Sequence, residues 1–229
     1  MRKQPIVALI YDFDGTLSPG NMQEFGFIQA IGKKPQEFWQ ESDDIASDQD
    51  ASKILSYMKL MFDEARKAGI KLRRKDFKTF GASVELFPGV LEWFGLVNAY
   101  GKERGVKVEH YINSSGLAEM IEGTAIAKEF KRIFACSFIY NEAGEAVWPG
   151  VAVDYTAKTQ FLFKINKGIL SVRDNKKKVN EARKLLRQQR VNFTTPADYT
   201  KESRTFELVC SIINKIRADF DLQHLARSH

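Results

Sequence analysis

The amino-acid sequence predicts an α/β fold, with a core of strands and helices and a helical cap inserted near its start. The continuous apolar run Ile6–Ile10 predicts a strand buried on both faces of a parallel sheet. From about residue 21 to residue 87 the apolar residues recur at helical spacing, and beyond this stretch strand-like and helical segments alternate. We therefore expect residues 1–20 and 88–229 to form the core and residues 21–87 to form the cap.

The remaining elements are predicted from periodicity and turn residues. Within the cap, the segment SDQDASKILSYM predicts the start of a helix, with Ser47 or Asp48 as its N-cap. Four aromatic residues of the cap could line a substrate pocket or form the cap's own core: Phe25, Phe38, Trp39 and Phe62. The elements expected beyond the cap are an apolar helix after Pro88-Gly89, a strand at Val106–Ile112, a hairpin turn at Asn141–Gly144, a helix from near Thr156 through Phe163, and an amphipathic helix at Phe206–Phe220.

Composition narrows the class of protein. The chain has 229 residues, 44% of them hydrophobic, and a formal net charge of +6 that is dispersed along the sequence. Because no nucleic-acid-binding motif accompanies this charge, we expect no nucleic-acid partner. No apolar run approaches the roughly 18–20 residues that cross a bilayer, and no secretory segment follows Met1, so we expect no membrane association. Cys136 and Cys210 lie in apolar surroundings, which favours buried free thiols and a cytoplasmic protein.

Two aspartates directly follow the first predicted strand. Asp12 and Asp14 alternate with Phe13, so both carboxylates can face one pocket while Phe13 faces the core. At the carboxyl end of a parallel strand they open into the crevice in which α/β proteins bind ligands. One carboxylate there can attack phosphorus as a nucleophile, provided that a cation screens the phosphate. The second can protonate the leaving oxygen and later activate water.

A calcium loop or a simple turn would be the alternative interpretation of the D-x-D-G pattern. Counting from Asp12, the sixth position is Leu17 rather than glycine, and the twelfth is Gln23 rather than glutamate. A strand also stands where a calcium loop needs a helix. A turn alone rarely requires two aspartates after five apolar residues. The sequence therefore favours phosphate chemistry at this position.

The segment DFDGTL after an apolar strand resembles the first signature, D-x-D-x-T, of the haloacid dehalogenase-like (HAD) hydrolase superfamily. This resemblance implies a Rossmann-like parallel sheet core, a Mg²⁺ cofactor and an aspartyl-phosphate intermediate. It implies that Asp12 is the nucleophile and Asp14 the general acid and base. It also implies that Mg²⁺ binds the carboxylate of Asp12 and the backbone carbonyl of Asp14.

Two further signatures of the superfamily have counterparts in this chain. In HYINSSG, Ser114 or Ser115 follows the second strand, and the order S-x-G favours Ser114 as the ligand of the phosphoryl group. A helix N-cap is the structural alternative for such a serine. In VDYTAKTQFLF, Lys158 opens a helix, which resembles the phosphoserine phosphatase-like branch and implies a lysine that neutralises phosphate charge. Asp12, Asp14, Ser114 and Lys158 together form a constellation suited to phosphoryl transfer.

The fourth signature, a glycine-rich acidic loop that completes the magnesium site, is absent from the sequence. Asp174 follows a short apolar run and is the candidate substitute ligand, although it lacks the glycines. The C-terminal segment again resembles related phosphatases, which suggests an internal deletion near Lys176–Glu181. Loss of a strand there would expose an edge of the sheet unless Arg190–Thr195 pairs with the first strand.

The sequence thus predicts a magnesium-dependent phosphomonoester hydrolase acting on a small phosphorylated substrate. The rival prediction is a catalytically impaired HAD-like protein that binds a phosphorylated ligand or a protein partner. The intact pair Asp12 and Asp14 favours the enzyme, and the missing acidic loop favours the rival. An exposed sheet edge would also permit a homo-oligomer.

Overall fold

A computed structural model of the protein describes residues 4–172 and 197–226. Its strands are β1 Ile6–Tyr11, β2 Lys107–Leu117, β3 Phe130–Tyr140 and β4 Ala146–Val151. Its α-helices are α1 Phe27–Ala30, α2 Pro35–Asp48, α3 Lys53–Lys67, α4 Arg74–Gly81, α5 Val90–Glu103, α6 Ala118–Ile121, α7 Tyr155–Asn166 and α8 Arg204–Ala226. Short 3₁₀ turns occur at Met22–Glu24 and Ala127–Glu129.

The four strands form one mixed sheet in the order β1-β2-β3-β4. β1 and β2 are parallel, with Tyr11 opposite Ile112, and β2 and β3 are parallel as well. β4 returns antiparallel to β3 after a turn in which Gly144 N donates to Asn141 O at 2.9 Å. The predicted α/β fold with a mostly parallel sheet is therefore confirmed, as is the predicted hairpin.

β1 occupies an edge of the sheet formed by the described residues. Val7 and Tyr11 are buried on one face, where the Tyr11 ring packs edge-on against Phe94 of α5. On the other face Ile6 is 55% exposed and Ala8 is also exposed. The prediction of a strand buried on both faces is wrong for this reason: the described elements cover mainly the face that carries Tyr11.

The region predicted as a cap is helical in the structure. The helices of this region are α1, α2, α3 and α4. A run of edge-to-face ring contacts joins Phe27, Phe38, Trp39 and Tyr57, with centroids 5.2 to 6.3 Å apart. Phe38 is fully buried in this cluster, so it is a core residue of the helical region.

The predicted N-cap of the cap helix is wrong. Ser47 and Asp48 lie in the last turn of α2, because that helix continues through Asp48. The chain then reverses through Asp50, whose φ of 46° places it in the left-handed region. α3 begins after Ser52, whose Oγ accepts a hydrogen bond from Leu55 N at 3.4 Å.

Close backbone packing joins the helical region to the sheet domain. A Cβ at Gly81 of α4 would lie 1.9 Å from the Met120 carbonyl oxygen of α6, and a Cβ at Gly123 would lie 2.0 Å from the Lys78 oxygen. One cluster of buried apolar side chains also runs through both regions. The division into a core and a cap at residues 21–87 stays a prediction.

The other predicted elements occur near their expected positions. β2 extends five residues beyond Ile112 and ends at Leu117. α5 follows Gly89, which adopts φ 82° as its N-cap, and α8 continues past Phe220 to Ala226. Both cysteines are free and buried, as predicted. No helix within residues 4–172 and 197–226 is long and apolar enough to span a lipid bilayer.

Three predictions concern residues outside the described ranges. They are Asp174 as a substitute metal ligand, the deletion near Lys176–Glu181, and the pairing of Arg190–Thr195 with the first strand.

Candidate active site

The loop after β1 places two carboxylates on the same side of the chain. Phe13 is fully buried, and its carbonyl oxygen accepts hydrogen bonds from Leu17 N at 2.8 Å and Ser18 N at 3.1 Å. Gly15 permits this tight turn because its φ of 70° lies in the region that favours glycine. With Phe13 turned into the core, Asp12 and Asp14 lie just beyond the carboxyl end of β1 and face away from the core, as the alternation predicted.

Lys158 lies in the first turn of α7 and contacts the first aspartate. Asp154 caps this helix, accepting a hydrogen bond from Ala157 N at 2.7 Å. The Lys158 Nζ lies 2.5 Å from Asp12 Oδ2, while Phe13 N donates to Asp12 Oδ1 at 2.8 Å. The side chains of Asp12 and Lys158 remain 41% and 20% exposed, so an anion from solvent can reach both.

Asp14 lies deeper than Asp12. Its Oδ1 accepts a hydrogen bond from Met22 N at 2.9 Å. Burial, together with the neighbouring charge of Asp12, raises the pKa of Asp14 to about 7, against the lowering effects of the Met22 amide and Lys158. A carboxyl group with this pKa is partly protonated at neutral pH and can both donate and accept a proton.

The segment after Asn113 brings β2 against Asp14. A Cβ at Gly116 would lie 2.9 Å from Asp14 Oδ2 and 2.2 Å from Met22 Cε, so only glycine permits this approach. Ser114 is fully buried, and its Oγ accepts a hydrogen bond from Gly116 N at 3.0 Å. The Ser115 hydroxyl instead donates to Val153 O at 2.7 Å. The proton of Ser115 is therefore engaged, and the assignment of Ser114 as the phosphate ligand stays a prediction.

Comparison with known proteins gives similar folds. No family model matches the sequence. A HAD family hydrolase from Salmonella enterica serovar Typhi superposes with a TM-score of 0.50 and 15% identity over 74% of this chain, which spans 55% of that protein. A phosphoserine phosphohydrolase-like protein from Francisella tularensis superposes with a TM-score of 0.48 and 23% identity. The match covers 73% of this chain and 74% of that protein. A substrate-bound phosphoserine phosphatase superposes with a TM-score of 0.49 and 17% identity over 74% of each of the two chains.

This chain has the fold of a HAD-family hydrolase. The Salmonella similarity shows this fold alone, because the identity is low. The HAD fold agrees with the resemblance of DFDGTL, since the chain places Asp12 at the carboxyl end of a parallel strand as that signature implies.

One curated relative covers nearly the whole chain. It is an uncharacterized protein of Borreliella burgdorferi, 27% identical over an alignment of 248 positions that covers 97% of this chain and 85% of the relative. Because this chain has only 229 residues, the matched region of the relative contains residues that this chain lacks. The internal deletion near Lys176–Glu181 stays a prediction, because the difference in length does not say where the extra residues lie.

Sequence reasoning missed three residues that contact the site. They are Met22, which bonds Asp14; Tyr57, whose hydroxyl donates to Ser115 O at 2.7 Å; and Asn113, whose Nδ2 donates to Lys158 O at 2.8 Å. Met22 and Tyr57 carry no local signal, because both read as apolar positions of the helical region. Asn113 does carry one, since it is the first polar residue after Tyr111-Ile112 and directly precedes Ser114.

The described residues offer few protein ligands for a cation. Within the residues that the structure describes, no group of three or more His, Cys, Asp or Glu side chains could hold a metal ion. The Asp12 carboxylate and the Asp14 backbone carbonyl are hard oxygen donors of the kind that Mg²⁺ prefers. Because Mg²⁺ commonly keeps several waters and uses few protein ligands, this set fits Mg²⁺ in chemistry, with fewer protein ligands than a full acidic site.

Proposed function

We propose that the protein is a phosphomonoester hydrolase of the HAD type that forms an aspartyl-phosphate on Asp12 and acts on a small phosphorylated metabolite. The observation that carries this proposal is the contact of Lys158 Nζ with Asp12 Oδ2, beside a second aspartate of raised pKa. A cation next to an exposed carboxylate can attract a phosphoryl dianion to a nucleophile that would otherwise repel it.

In the first step a carboxylate oxygen of Asp12 attacks phosphorus. The bond between phosphorus and the ester oxygen breaks, and the departing oxygen takes the proton of Asp14 to leave as an alcohol. The pKa of about 7 for Asp14 matches this role, because a useful fraction of the side chain is protonated at neutral pH. Lys158 and the peptide groups around Ser114 would stabilise the charge on the phosphoryl oxygens.

In the second step the ionised Asp14 removes a proton from water. The water oxygen attacks phosphorus of the aspartyl-phosphate, the acyl-phosphate bond breaks, and inorganic phosphate leaves while Asp12 is regenerated. Asp14 thus returns to its protonated form, so one group serves as acid and then as base. Its position two residues after Asp12, fixed by Met22 N, keeps it on the same side of the loop.

Mg²⁺ would be held by the Asp12 carboxylate and the Asp14 backbone carbonyl, with water and the phosphate filling the remaining positions. When bound, it would neutralise charge between the phosphate and the nucleophile.

A second candidate function is the binding of a phosphorylated ligand without turnover. The small donor set in the described part of the chain favours it, because weak cation binding would leave Asp12 poorly screened against phosphate. Association of two copies through the edge of β1 also stays a prediction; light scattering of the purified chain measures the mass that tests it.

Hydrolysis of p-nitrophenyl phosphate by the full chain, with and without Mg²⁺, tests the enzyme. We expect magnesium-dependent turnover that Asp12→Asn lowers by about 10³-fold or more. The matched control is Asp43→Asn, which alters an exposed aspartate paired with Lys53 on the helical region. Folded protein that binds inorganic phosphate without turnover at high Mg²⁺ would support the second candidate and reject the first.

Asp14→Asn separates the two chemical steps. Because p-nitrophenolate leaves readily without a proton, this variant should still transfer phosphate to Asp12 but hydrolyse the aspartyl-phosphate slowly. Rapid mixing should then show a burst of about one p-nitrophenolate per protein followed by slow turnover. Equal slowing of the burst and of the steady state would argue against Asp14 as the base.

A further inference from the structure

Asn113 joins β2, the strand that carries Ser114 and Ser115, to α7, the helix that carries Lys158. It lies immediately beyond Ile112, the residue that pairs with the last residue of β1, so it stands level with Asp12. Its own backbone pairs with Phe134 of β3. The side chain is 6% exposed, so the amide is enclosed between these elements.

The amide makes one bond and leaves one atom unpaired. Nδ2 donates to the Lys158 backbone oxygen at 2.8 Å, whereas Oδ1 is buried without a partner among the described residues. A buried unpaired acceptor is costly, and a leucine would fill a similar volume without that cost. The hydrogen bond that Nδ2 donates to the Lys158 carbonyl is therefore what Asn113 provides and an apolar residue would not.

The backbone at Lys158 is thus held from two directions. Asp154 O accepts from Lys158 N at 2.9 Å within the first helical turn, and Asn113 holds the Lys158 carbonyl from the neighbouring strand. The lysine side chain has four rotatable bonds, so the position of its ammonium depends on where the backbone is fixed. A shift of about 1 Å in such a group can cost about 10²-fold in rate.

We propose that Asn113 is a positioning residue that keeps the Lys158 ammonium in contact with Asp12 and at a fixed position relative to Ser114 of β2. This inference deepens the proposed function and rests on it, because the position of Lys158 matters most when phosphate binds there. Asn113 itself need not contact the substrate, since its side chain is enclosed and one of its two N–H groups is used on Lys158.

A double-mutant cycle in phosphatase activity tests the inference. Asn113→Leu should lower kcat/KM for p-nitrophenyl phosphate by about 10- to 100-fold. In a Lys158→Ala background the same change should alter kcat/KM by less than about two-fold, because its effect passes through the lysine. An equal loss in both backgrounds would overturn the proposal, and so would wild-type activity in Asn113→Leu.

Two controls keep the test interpretable. Thr124→Val removes another buried hydrogen bond from a side chain to the backbone, from Oγ1 to Ile121 O at 2.7 Å, and should leave activity unchanged. Asn113→Ala removes the donor without adding bulk if the leucine variant fails to fold.

Crystal structures of the wild type and Asn113→Ala decide the question even if the wild type shows no turnover. The proposal expects Lys158 Nζ within about 3.2 Å of an Asp12 carboxylate oxygen in the wild type and beyond about 4 Å in the variant. An unchanged distance would overturn the positioning role. Absence of turnover with the expected change in distance would instead reject the enzyme and keep the positioning role.

Discussion

Lys158 Nζ and Asp12 Oδ2 lie 2.5 Å apart although 146 positions separate the two residues in the chain. The pair is partly exposed, and exposed ion pairs of this kind contribute only about 0–1 kcal/mol to folding. Its main effect is therefore local: it places a positive charge beside a carboxylate that an anion from solvent can reach. This arrangement suits phosphate binding better than structural support.

Lys158→Ala should separate function from stability. We expect a loss in the free energy of unfolding of no more than about 1 kcal/mol, because the pair is exposed to water. We expect kcat/KM for p-nitrophenyl phosphate to fall by about 10²- to 10³-fold, because the charge that stabilises the phosphoryl oxygens is lost. Urea titration and steady-state kinetics measure the two effects.

Lys53→Ala is the matched control, since Lys53 forms a 2.8 Å ion pair with Asp43 on the helical region. It should change neither quantity appreciably. If Lys158→Ala destabilised the protein by several kcal/mol while phosphate affinity stayed at the wild-type value, the pair would be structural.

Asp14→Asn should stabilise the protein at neutral and alkaline pH. The pKa of Asp14 is about 7 in the folded protein, against an ordinary value of 3.8. The folded state therefore binds more protons between these values, and the free energy of unfolding contributed by Asp14 falls as pH rises from about 4 to 7. Asparagine cannot ionise, so the variant should be more stable than the wild type by about 1–3 kcal/mol at pH 8.

Urea titrations from pH 4 to pH 8 measure this difference. The two proteins should approach each other near pH 4, where Asp14 is protonated in the folded protein and about half protonated in the unfolded chain. Asp43→Asn provides the control for loss of an exposed aspartate. Parallel stability curves for Asp14→Asn and the wild type across this range would contradict the raised pKa.

The parts of the site that the sequence predicts are those that local patterns specify. Asp12 and Asp14 follow from an apolar strand that runs into a D-x-D-G turn, and Lys158 follows from the resemblance of its helix start to the phosphoserine phosphatase-like branch. The proximity of Asn113 to Lys158 depends on how far α7 lies from β2, which no local pattern contains. Single-sequence periodicity therefore predicts the strand and helix that carry the site and leaves their contacts open.

The errors in the fold have the same origin. Ile6–Ile10 is uniformly apolar, but an apolar run does not say how many faces of a strand its neighbours cover, and Ile6 is exposed. Ser47 and Ser52 are both acceptable N-caps by residue type. Only the continuation of α2 through Asp48 decides between them, and residue type does not show where a helix ends.

Gly116→Ala should damage both the fold and the site. The new methyl group would lie 2.2 Å from Met22 Cε and 2.9 Å from Asp14 Oδ2, and Met22 is fully buried, with little room to move. We expect a loss of about 1–3 kcal/mol in the free energy of unfolding. Activity should fall as well, because the new methyl group would crowd the Oδ2 of Asp14, the proposed acid and base.

Gly95→Ala is the contrasting control within helix α5. Its Cβ would meet nothing within 4 Å, so alanine should stabilise the protein by about 0.5–1 kcal/mol through helix propensity. Thermal unfolding of the two variants measures the expected loss of stability in Gly116→Ala and the expected gain in Gly95→Ala. A Gly116→Ala protein as stable and active as the wild type would show that residue 116 and Met22 can move apart without cost.

His110 should make the protein sensitive to acid. It is 3% exposed, its Nδ1 lies 2.8 Å from the Tyr11 hydroxyl, and its Nε2 lies 3.2 Å from Asn98 Oδ1. Burial lowers its pKa to about 4 from an ordinary 6.5. The unfolded state therefore binds more protons between these values, and stability is lost as pH falls from about 6.5 to 4.

The full contribution of this group is about 3 kcal/mol, since one pKa unit corresponds to about 1.4 kcal/mol. His110→Gln, which stays neutral, should be less stable at pH 7 because packing is lost, yet its stability should fall less steeply between pH 6.5 and pH 4. His224→Gln on the exposed end of α8 controls for the loss of a histidine. Because acidic residues of the unfolded chain also bind protons as pH falls toward 4, the decisive quantity is the difference between the variant and wild-type curves. A constant difference across these pH values would mean that His110 is protonated in the folded protein as readily as in the unfolded chain.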